Sequence, residues 1–258
     1  MAIRKKDFLK PSPLELYLPE GKGPFPLVCL TPILGRLGFL EDLFMERRFA
    51  RFFASHGFAT AVIERPIFEF HPGRGLEQIQ DYLDESVARS VKALDFLLTE
   101  EEIRRDAVVS FGISFGSVVN VLWAARDRRL KAYVFALTGG NIPEIIVSSR
   151  DPLMRAYYKD LVKGTGLKGP ELKPALAKAI HSDPLQAAET LSRERVLMLL
   201  GIFDHVIPFR YGLALRRSLG NPETIFLPLG HYGALLAAPF LKWKALAFFQ
   251  KRLAEGFS

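Results

Sequence analysis

A serine between two glycines lies where the sequence pattern changes from a buried strand to a helix. Residues 107–111 form an apolar run, residues 112–116 read Gly-Ile-Ser-Phe-Gly, and apolar side chains recur at helical spacing after them. This pattern predicts a strand, a sharp turn that exposes the hydroxyl of Ser114, and a helix whose first N–H groups point to the same place. Such a serine can attack a carbonyl carbon. The alternative is a glycine-rich turn in which Ser114 only caps the helix.

A serine hydroxyl becomes a good nucleophile when a base takes its proton, and that base is usually a histidine oriented by a carboxylate. Among the five histidines, His231 lies in a Gly-His-Tyr-Gly loop just after the last predicted strand, where it can reach the carboxyl edge of a sheet. We therefore interpret His231 as the base. Of the other four, His56 is expected at a helix end and His71 in a loop. His181 lies in the long segment 141–192, and His205 directly follows an aspartate.

The carboxylate that orients this histidine is also expected to follow a strand. Asp204 leaves the apolar run 196–202 in a short loop before a helix, and this position favours it. Glu144 and Asp151, which follow the preceding strand, are the alternatives. A turn or helix-capping role for Asp204 is the competing interpretation.

Alternating strand and helix patterns separate these side chains. Continuous apolar runs predict strands, and apolar residues three or four apart predict helices. The predicted strands cover residues 14–18, 26–30, 58–63, 107–111, 130–137, 195–202 and 223–227. The predicted helices cover residues 41–56, 76–99, 115–125, 209–219 and 234–253. This alternation predicts an α/β fold, with a mostly parallel central sheet covered by helices on both faces, as a single domain over residues 1–258.

Residues 141–192 form a segment longer than one connection between neighbouring strands requires. Five prolines divide it into short helical pieces: Pro143, Pro152, Pro170, Pro174 and Pro184. Apolar side chains give its first half one apolar face. Because ligands bind beyond the carboxyl ends of parallel strands, we expect this helical insertion to act as a lid over Ser114 and to line an apolar pocket. Additional packing at the edge of the sheet is the alternative.

The chain has 258 residues and a net charge of +7, with basic residues clustered at 47–51, 126–131 and 159–173. A nucleic-acid surface would combine such clusters with interleaved aromatic residues and a recognisable motif, and the sequence has neither. We therefore interpret the charge as a solvated surface, which also suits an acidic substrate, and expect no nucleic-acid partner.

The single cysteine and one uncharged stretch bear on the cellular location. Cys29 lies in an apolar run without a second cysteine to pair with, which favours a reducing compartment. The first residues lack the apolar stretch of a secretory signal. Residues 107–125 carry no charge over about the length of a membrane span, but their serines and glycines fit a strand, turn and helix better. We expect a cytoplasmic protein without a membrane span.

A second glycine motif, Gly-x-Gly-x-x-Gly at residues 164–169, resembles a dinucleotide-binding loop. Such a loop must follow a strand directly and open a helix. Here it follows a helical piece and leads into Pro170, so we interpret it as a linker. The sequence contains no phosphate-binding loop and no metal-ligand spacing, and we therefore expect no cofactor and no metal.

Taken together, the motifs resemble those of the α/β-hydrolase superfamily, and the resemblance covers nearly the whole chain. The motifs are residues 112–116 around Ser114, residues 201–208 around Asp204, and Gly230-His231. The chain order serine, aspartate, histidine is also the order of that superfamily. Within it, the sequence is most similar to dienelactone-hydrolase-like and prolyl-oligopeptidase-like serine esterases. The resemblance implies that Ser114 is the nucleophile, His231 the general base and acid, and Asp204 the orienting carboxylate.

The resemblance also implies an oxyanion hole made of two backbone N–H groups, one of which belongs to Phe115. The second comes from the loop after strand 26–30, where many relatives have His-Gly and this chain has Thr-Pro-Ile. Because Pro32 has no N–H, Ile33 is the expected donor, with Leu34 next. One missing donor costs about 3–4 kcal/mol of transition-state stabilisation, so this departure bears on the rate more than on the type of reaction.

The function that these observations predict is the hydrolysis of a small carboxylic ester with an apolar acyl part. The reaction would pass through an acyl-enzyme on Ser114. An acyl thioesterase or a peptidase would use the same three side chains. A binding protein that keeps the pocket without catalysis is the alternative outside the enzymes.

Overall fold

The computed structural model describes residues 1–6, 14–32, 45–64, 66, 71 and 75–256. The strands in this part of the chain are β1 (Ala2–Lys6), β2 (Leu14–Leu18), β3 (Phe25–Thr31), β4 (Ala59–Val62), β5 (Ile103–Ile113), β6 (Leu130–Ala136), β7 (Val196–Gly201) and β8 (Glu223–Leu227). The helices are α1 (Met45–Ser55), α2 (Glu77–Leu97), α3 (Phe115–Arg126), α4 (Ile142–Ser148), α5 (Pro152–Thr165), α6 (Gly169–Ala179), α7 (Pro184–Ala188), α8 (Phe209–Ser218) and α9 (Ala238–Glu255).

The strands form one sheet in the order β1-β2-β4-β3-β5-β6-β7-β8. β1 pairs antiparallel with β2, and β2 pairs antiparallel with β4. All pairs from β4 through β3, β5, β6 and β7 to β8 are parallel. The carboxyl ends of these strands therefore meet at one edge of the sheet, with β5 near its centre. Loops that leave β5, β7 and β8 are brought together at that edge.

Helices cover both faces of the sheet. Adjacent residues on β5 point to opposite sides, so Val108 packs with α2, α3 and α8, whereas Val109 packs with α1 and α9. Both side chains are fully buried. A strand that is buried on both faces needs apolar residues at every position, which explains the continuous apolar run in its sequence.

The segment between β6 and β7 contains α4, α5, α6 and α7. Its buried leucines Leu161, Leu172 and Leu176 belong to the same apolar cluster as α2 and α3. The segment is therefore attached to the sheet through its own apolar face. The lid role expected for residues 141–192 remains a prediction.

Three elements differ from the sequence prediction. β1 was not predicted, because Arg4 and its lysine neighbours interrupt the alternation of apolar and polar residues that indicates a strand. Such charges are common on strands at the edge of a sheet. β5 begins at Ile103 rather than at residue 107, since residues 104–106 are exposed and charged although they are extended. α9 begins at Ala238, after a short 3-10 turn at Gly233–Leu235. Residues 41–44 of the helix expected at 41–56 lie outside the described residues.

Among the described helices, none combines the length and the apolar character that crossing a bilayer requires.

Candidate active site

Ser114 occupies a sharp turn between the end of β5 and the start of α3. Its backbone has φ +56° and ψ −125°, a region that non-glycine residues seldom adopt and that costs about 1–3 kcal/mol. Its N–H donates to the carbonyl of Ala136 on β6 at 2.9 Å, which holds the turn against the sheet. The strained turn exposes the serine side chain at the carboxyl edge.

The two flanking glycines are required by close backbone contacts. A Cβ on Gly112 would lie 2.7 Å from the Cα of Ser117. A Cβ on Gly116 would overlap the carbonyl groups of Thr31 and Pro32 at the end of β3. The side chain of Thr31 also donates to the carbonyl of Gly116 at 2.7 Å. The end of β3 and the first turn of α3 are therefore in direct contact.

Phe115 is the first residue of α3, and the first N–H groups of an α-helix have no acceptor within the helix. Its N–H is therefore available to a negatively charged oxygen next to Ser114. The ring of Phe115 stacks on the ring of Tyr82 from α2, with centroids 5.4 Å apart and planes tilted by 29°. This stack restricts the position of the predicted oxyanion donor. Ile33 and Leu34, the candidates for the second donor, lie outside the described residues.

The structure brings together the three side chains named from the sequence. Nε2 of His231 lies 2.9 Å from Oγ of Ser114. Nδ1 of His231 lies 2.7 Å from Oδ2 of Asp204. Both contacts are satisfied by the tautomer that carries its hydrogen on Nδ1, because Nδ1 then donates to the carboxylate and Nε2 accepts from the hydroxyl. The side chains of His231 and Asp204 are 10% and 3% exposed, so water competes little with these contacts.

Asp204 is held by the loop that follows β7. Its Oδ1 accepts hydrogen bonds from the backbone N–H groups of Val206 and Ile207, both at 2.9 Å. Together with the imidazole, the carboxylate has three donors, which is the arrangement that a buried negative charge requires. Oδ2 is thereby aimed at His231.

The loops after β7 and β8 are joined by their backbones. The N–H of Phe203 donates to the carbonyl of Leu229 at 3.2 Å, and a Cβ on Gly201 would lie 2.8 Å from the same oxygen. The loop that carries His231 therefore lies directly against the loop that carries Asp204.

The two alternative carboxylates have other partners. Glu144 forms an ion pair with Lys173 and accepts from the hydroxyl of Tyr211 at 3.4 Å. Asp151 accepts from the hydroxyl of Tyr232 at 2.8 Å. Sequence reasoning missed the contact of Tyr232, and the available signal was its position directly after the candidate base.

Burial raises the pKa of Tyr232 to about 12, with further contributions from its hydrogen bond to Asp151 and from the negative charges of Asp151 and Asp204. The phenol therefore stays protonated at neutral pH, and Tyr232 acts as the donor in this contact.

The remaining histidines lie in other surroundings. Nδ1 of His56 is 2.7 Å from the carbonyl of Phe52 at the end of α1, as expected for a residue that caps a helix. His71, His181 and His205 expose their side chains to solvent. The glycine motif at 164–169 joins α5 to α6 rather than a strand to a helix.

Three solved structures have a similar overall arrangement. An acetyl xylan esterase from Paenibacillus sp. R4 superposes with a TM-score of 0.66 at 15% identity, over 97% of this chain and 88% of that chain. The α/β hydrolase GrgF from Penicillium sp. sh18 gives a TM-score of 0.63 at 14% identity, over 98% and 99% of the two chains. A puromycin-hydrolyzing peptidase from Mycobacterium tuberculosis gives 0.68 at 17% identity, over 100% of this chain and 39% of that chain. This chain therefore has the α/β-hydrolase fold, which confirms the fold expected from the sequence.

One curated relative matches part of the sequence. The chain is 31% identical over 119 residues to acyl-coenzyme A amino acid N-acyltransferase 2 from Rattus norvegicus. The match covers 46% of this chain and spans a quarter of the length of the relative (25%). No protein-family model matches the sequence.

Proposed function

We propose that this chain of α/β-hydrolase fold hydrolyses carboxylic esters through a covalent acyl-enzyme on Ser114. The observation that carries the proposal is the unbroken line of hydrogen bonds from Ser114 Oγ through the imidazole of His231 to Asp204, with distances of 2.9 and 2.7 Å. A base in contact with a nucleophile, and itself oriented by a third group, is the arrangement that activates a serine.

In the proposed reaction, Oγ of Ser114 attacks the ester carbonyl while Nε2 of His231 accepts the hydroxyl proton. The resulting oxyanion is stabilised by the N–H of Phe115 and, as we propose, by the N–H of Ile33. Asp204 stabilises the imidazolium that forms. Nε2 then gives its proton to the departing alcohol, and the acyl group remains on Ser114. Water attacks the acyl-enzyme by the same steps and releases the acid.

We propose that the acyl part of the substrate is apolar and that residues 141–192 form a lid that lines its pocket. The position of the segment supports this, because it leaves β6 at the carboxyl edge of the parallel strands, beyond which ligands bind.

We also propose a cytoplasmic location. It is supported by Cys29, which is the chain's single cysteine and is buried in β3.

A second candidate is the transfer of an acyl group from a thioester, either to water or to another acceptor. The partial match to an acyl-coenzyme A N-acyltransferase favours this reaction. The net charge of +7 also suits an acyl carrier that bears negative phosphate groups, such as coenzyme A. The attack of Ser114 on the carbonyl is the same in both cases, so the two candidates differ in the leaving group and the acceptor.

A fluorophosphonate probe tests the nucleophile. We expect the probe to label the wild-type protein and the Ser117→Ala variant but not the Ser114→Ala variant. Ser117 is the matched control because it lies about one helical turn further along the chain, on α3, is fully buried, and has a hydroxyl without a hydrogen-bond partner among the described residues. Labelling that persists in Ser114→Ala would refute the assignment. An unlabelled wild-type protein would favour the non-catalytic binding protein.

A panel of p-nitrophenyl esters and the matching acyl thioesters then tests the substrate class. We expect kcat/KM to rise with the length of the acyl chain at least over the short chains, because an apolar pocket stabilises each added methylene by about 0.8 kcal/mol. A preference for the thioester at equal chain length would support the second candidate over the first. Turnover of peptides alone would refute both.

A further inference from the structure

Tyr232 connects the loop of the candidate base to the segment between β6 and β7. It follows His231 directly, and its hydroxyl donates to Oδ2 of Asp151 at 2.8 Å. The Asp151 side chain is buried just before α5, and its Oδ1 accepts from the N–H of Met154 at 3.2 Å. Both oxygens of this carboxylate are therefore hydrogen-bonded, one to the first turn of a helix and one to the base loop.

The residues just before Asp151 contact the loop of the orienting carboxylate. The carbonyl of His205 accepts hydrogen bonds from the hydroxyl of Ser149 and from the N–H of Arg150, both at 3.2 Å. His205 follows Asp204 directly, and Ser149 is almost completely buried. Residues 149–151 thus touch both loops on which the candidate triad depends.

We infer that Asp151 is a positioning residue, which acts through Tyr232 to hold His231 in line between Ser114 and Asp204. The inference rests on the proposed function. Asp204 fixes one end of the imidazole, and the contact between Phe203 and Leu229 fixes the start of the loop. The bond from Tyr232 to Asp151 holds the far side of the loop.

The loop needs this third attachment because of its composition. Glycines at 230 and 233 flank His231, and glycine leaves the backbone with more accessible conformations than any other residue. A hydrogen bond to a buried carboxylate restricts such a loop more strongly than one to a neutral acceptor. A shift of about 1 Å between nucleophile and base costs about 100-fold in rate, so a small loosening of the loop is measurable.

The Tyr232→Phe variant removes the hydroxyl and keeps the ring. We expect kcat on a p-nitrophenyl ester to fall about 10- to 100-fold while KM stays within about twofold, since the loop positions the base rather than the substrate. The rate of fluorophosphonate labelling should fall by the same factor. Because a smaller folded fraction would also lower the apparent kcat at constant KM, kcat is expressed per active site, counted from the endpoint of fluorophosphonate labelling.

Tyr17→Phe is the control for the loss of a hydrogen bond from a tyrosine to a carboxylate, although Tyr17 is 2% exposed and Tyr232 is 48% exposed. The hydroxyl of Tyr17 also donates at 2.8 Å to a buried carboxylate, that of Glu15. Burial raises the pKa of Tyr17 to about 12, as at Tyr232. Tyr17 lies on β2, separated from β5 by β4 and β3. We expect this variant to keep the wild-type kcat, while urea denaturation measures the stability of both variants.

Asp151→Asn and the double variant with Tyr232→Phe test whether the two residues act through one bond. Asparagine has a single carbonyl oxygen, which cannot accept from both Met154 and Tyr232, and its NH₂ group can meet the phenol only as a donor, so the charge-assisted bond from Tyr232 is lost. We expect Asp151→Asn to lower kcat about as much as Tyr232→Phe, and the double variant to fall within about twofold of the lower single variant. Losses that multiply would contradict the inference.

Two further outcomes would overturn it. One is a kcat for Tyr232→Phe within about twofold of wild type, and the other is an equal loss of kcat in Tyr17→Phe. If Tyr232→Phe does not fold, Asp151→Asn alone gives the same comparison. A wild-type protein that is neither labelled nor active refutes the proposed function together with this inference, whereas normal labelling of both wild type and Tyr232→Phe refutes the inference alone.

Discussion

The Asp204→Asn variant separates the orienting role of this side chain from its role in the turn. Oδ1 of Asp204 accepts from the backbone N–H groups of Val206 and Ile207, whereas Oδ2 faces Nδ1 of His231. An asparagine keeps its carbonyl oxygen on the two N–H groups and therefore presents its NH₂ group to Nδ1. Two donors cannot share this contact, so the imidazole adopts the tautomer with its hydrogen on Nε2. Nε2 then cannot accept the proton of Ser114.

The expected loss in kcat is about 10³- to 10⁴-fold, as found when the same change inverts the tautomer in a serine protease. At about 1.4 kcal/mol for each factor of ten, this corresponds to about 4–5.5 kcal/mol of the activation barrier. The free energy of unfolding should fall much less, by about 1–2 kcal/mol, because one charge-assisted hydrogen bond becomes a neutral one. Turnover of a p-nitrophenyl ester and urea denaturation measure the two quantities.

Asp204→Ala is the comparison variant. It leaves the N–H groups of Val206 and Ile207 without their acceptor, so it should lower the free energy of unfolding by about 2–5 kcal/mol in addition to stopping turnover. An Asp204→Asn variant that keeps kcat within tenfold of wild type would refute the reasoning, since His231 would then be oriented by something else. Equal stability losses in the two variants would contradict the role assigned to Oδ1.

Crowding at the turn and one buried carboxylate each give a further measurable outcome. Gly116→Ala places a Cβ against the backbone of Thr31, so it should lower the free energy of unfolding by about 1–3 kcal/mol and remove most of the esterase activity. Wild-type stability in urea and wild-type ester hydrolysis would contradict this prediction. Burial opposes ionisation of Asp127, but hydrogen bonds from Arg129 leave its pKa lowered overall. The stabilisation from ionised Asp127 is complete above the pKa that this side chain has in the unfolded chain, and it is lost as the pH falls through its pKa in the folded protein. Asp127→Asn should therefore lower the free energy of unfolding more at neutral pH than at about pH 2; equal losses would refute this.

The turn at Ser114 could be predicted because its motif is continuous in the sequence. Gly112 is required by a contact with the first turn of α3, which the apolar pattern already indicates, whereas the contact of Gly116 with Thr31 and Pro32 of the β3 end could be seen only in the structure. The parallel strands could also be predicted, because their burial on both faces produces continuous apolar runs. Local signals of this kind do not depend on knowing which strands are neighbours.

β1 and the start of α9 show where local signals fail. β1 has two apolar residues, Ala2 and Ile3, followed by three charged ones, and its extended form depends on five pairings with β2 rather than on its own pattern. The first residues expected in α9 form a 3-10 turn instead, in which Leu236 and Ala237 donate to the carbonyls of Gly233 and Ala234, three residues back. The N–H of Ala234 donates to the carbonyl of Gly230, so this turn continues the loop of the base.

The three candidate carboxylates show that the position of a residue in the sequence is not enough to assign its role in a site. Glu144, Asp151 and Asp204 all follow strands that end at the same edge, so position in the sequence left them as alternatives. The structure separates them by the donors that surround each one. Two backbone N–H groups and an imidazole meet Asp204, a lysine meets Glu144, and a tyrosine meets Asp151. The donors of Asp204 come from the loops after β7 and β8, and the contact between these two loops brings them together, whereas Lys173 lies on α6.

This difference explains how one edge of the sheet can hold several buried or half-buried carboxylates with separate tasks. A carboxylate bound by backbone N–H groups is immobile and can orient an imidazole, which is the role expected of Asp204. At Asp151 one oxygen is held by the backbone N–H of Met154, and the other, bound by the hydroxyl of Tyr232, transmits position through that side chain to the preceding residue, His231. The two aspartates therefore serve different roles although both lie in loops near the same edge of the sheet. The partners of a side chain, more than its type or spacing, determine which step of the reaction it can serve.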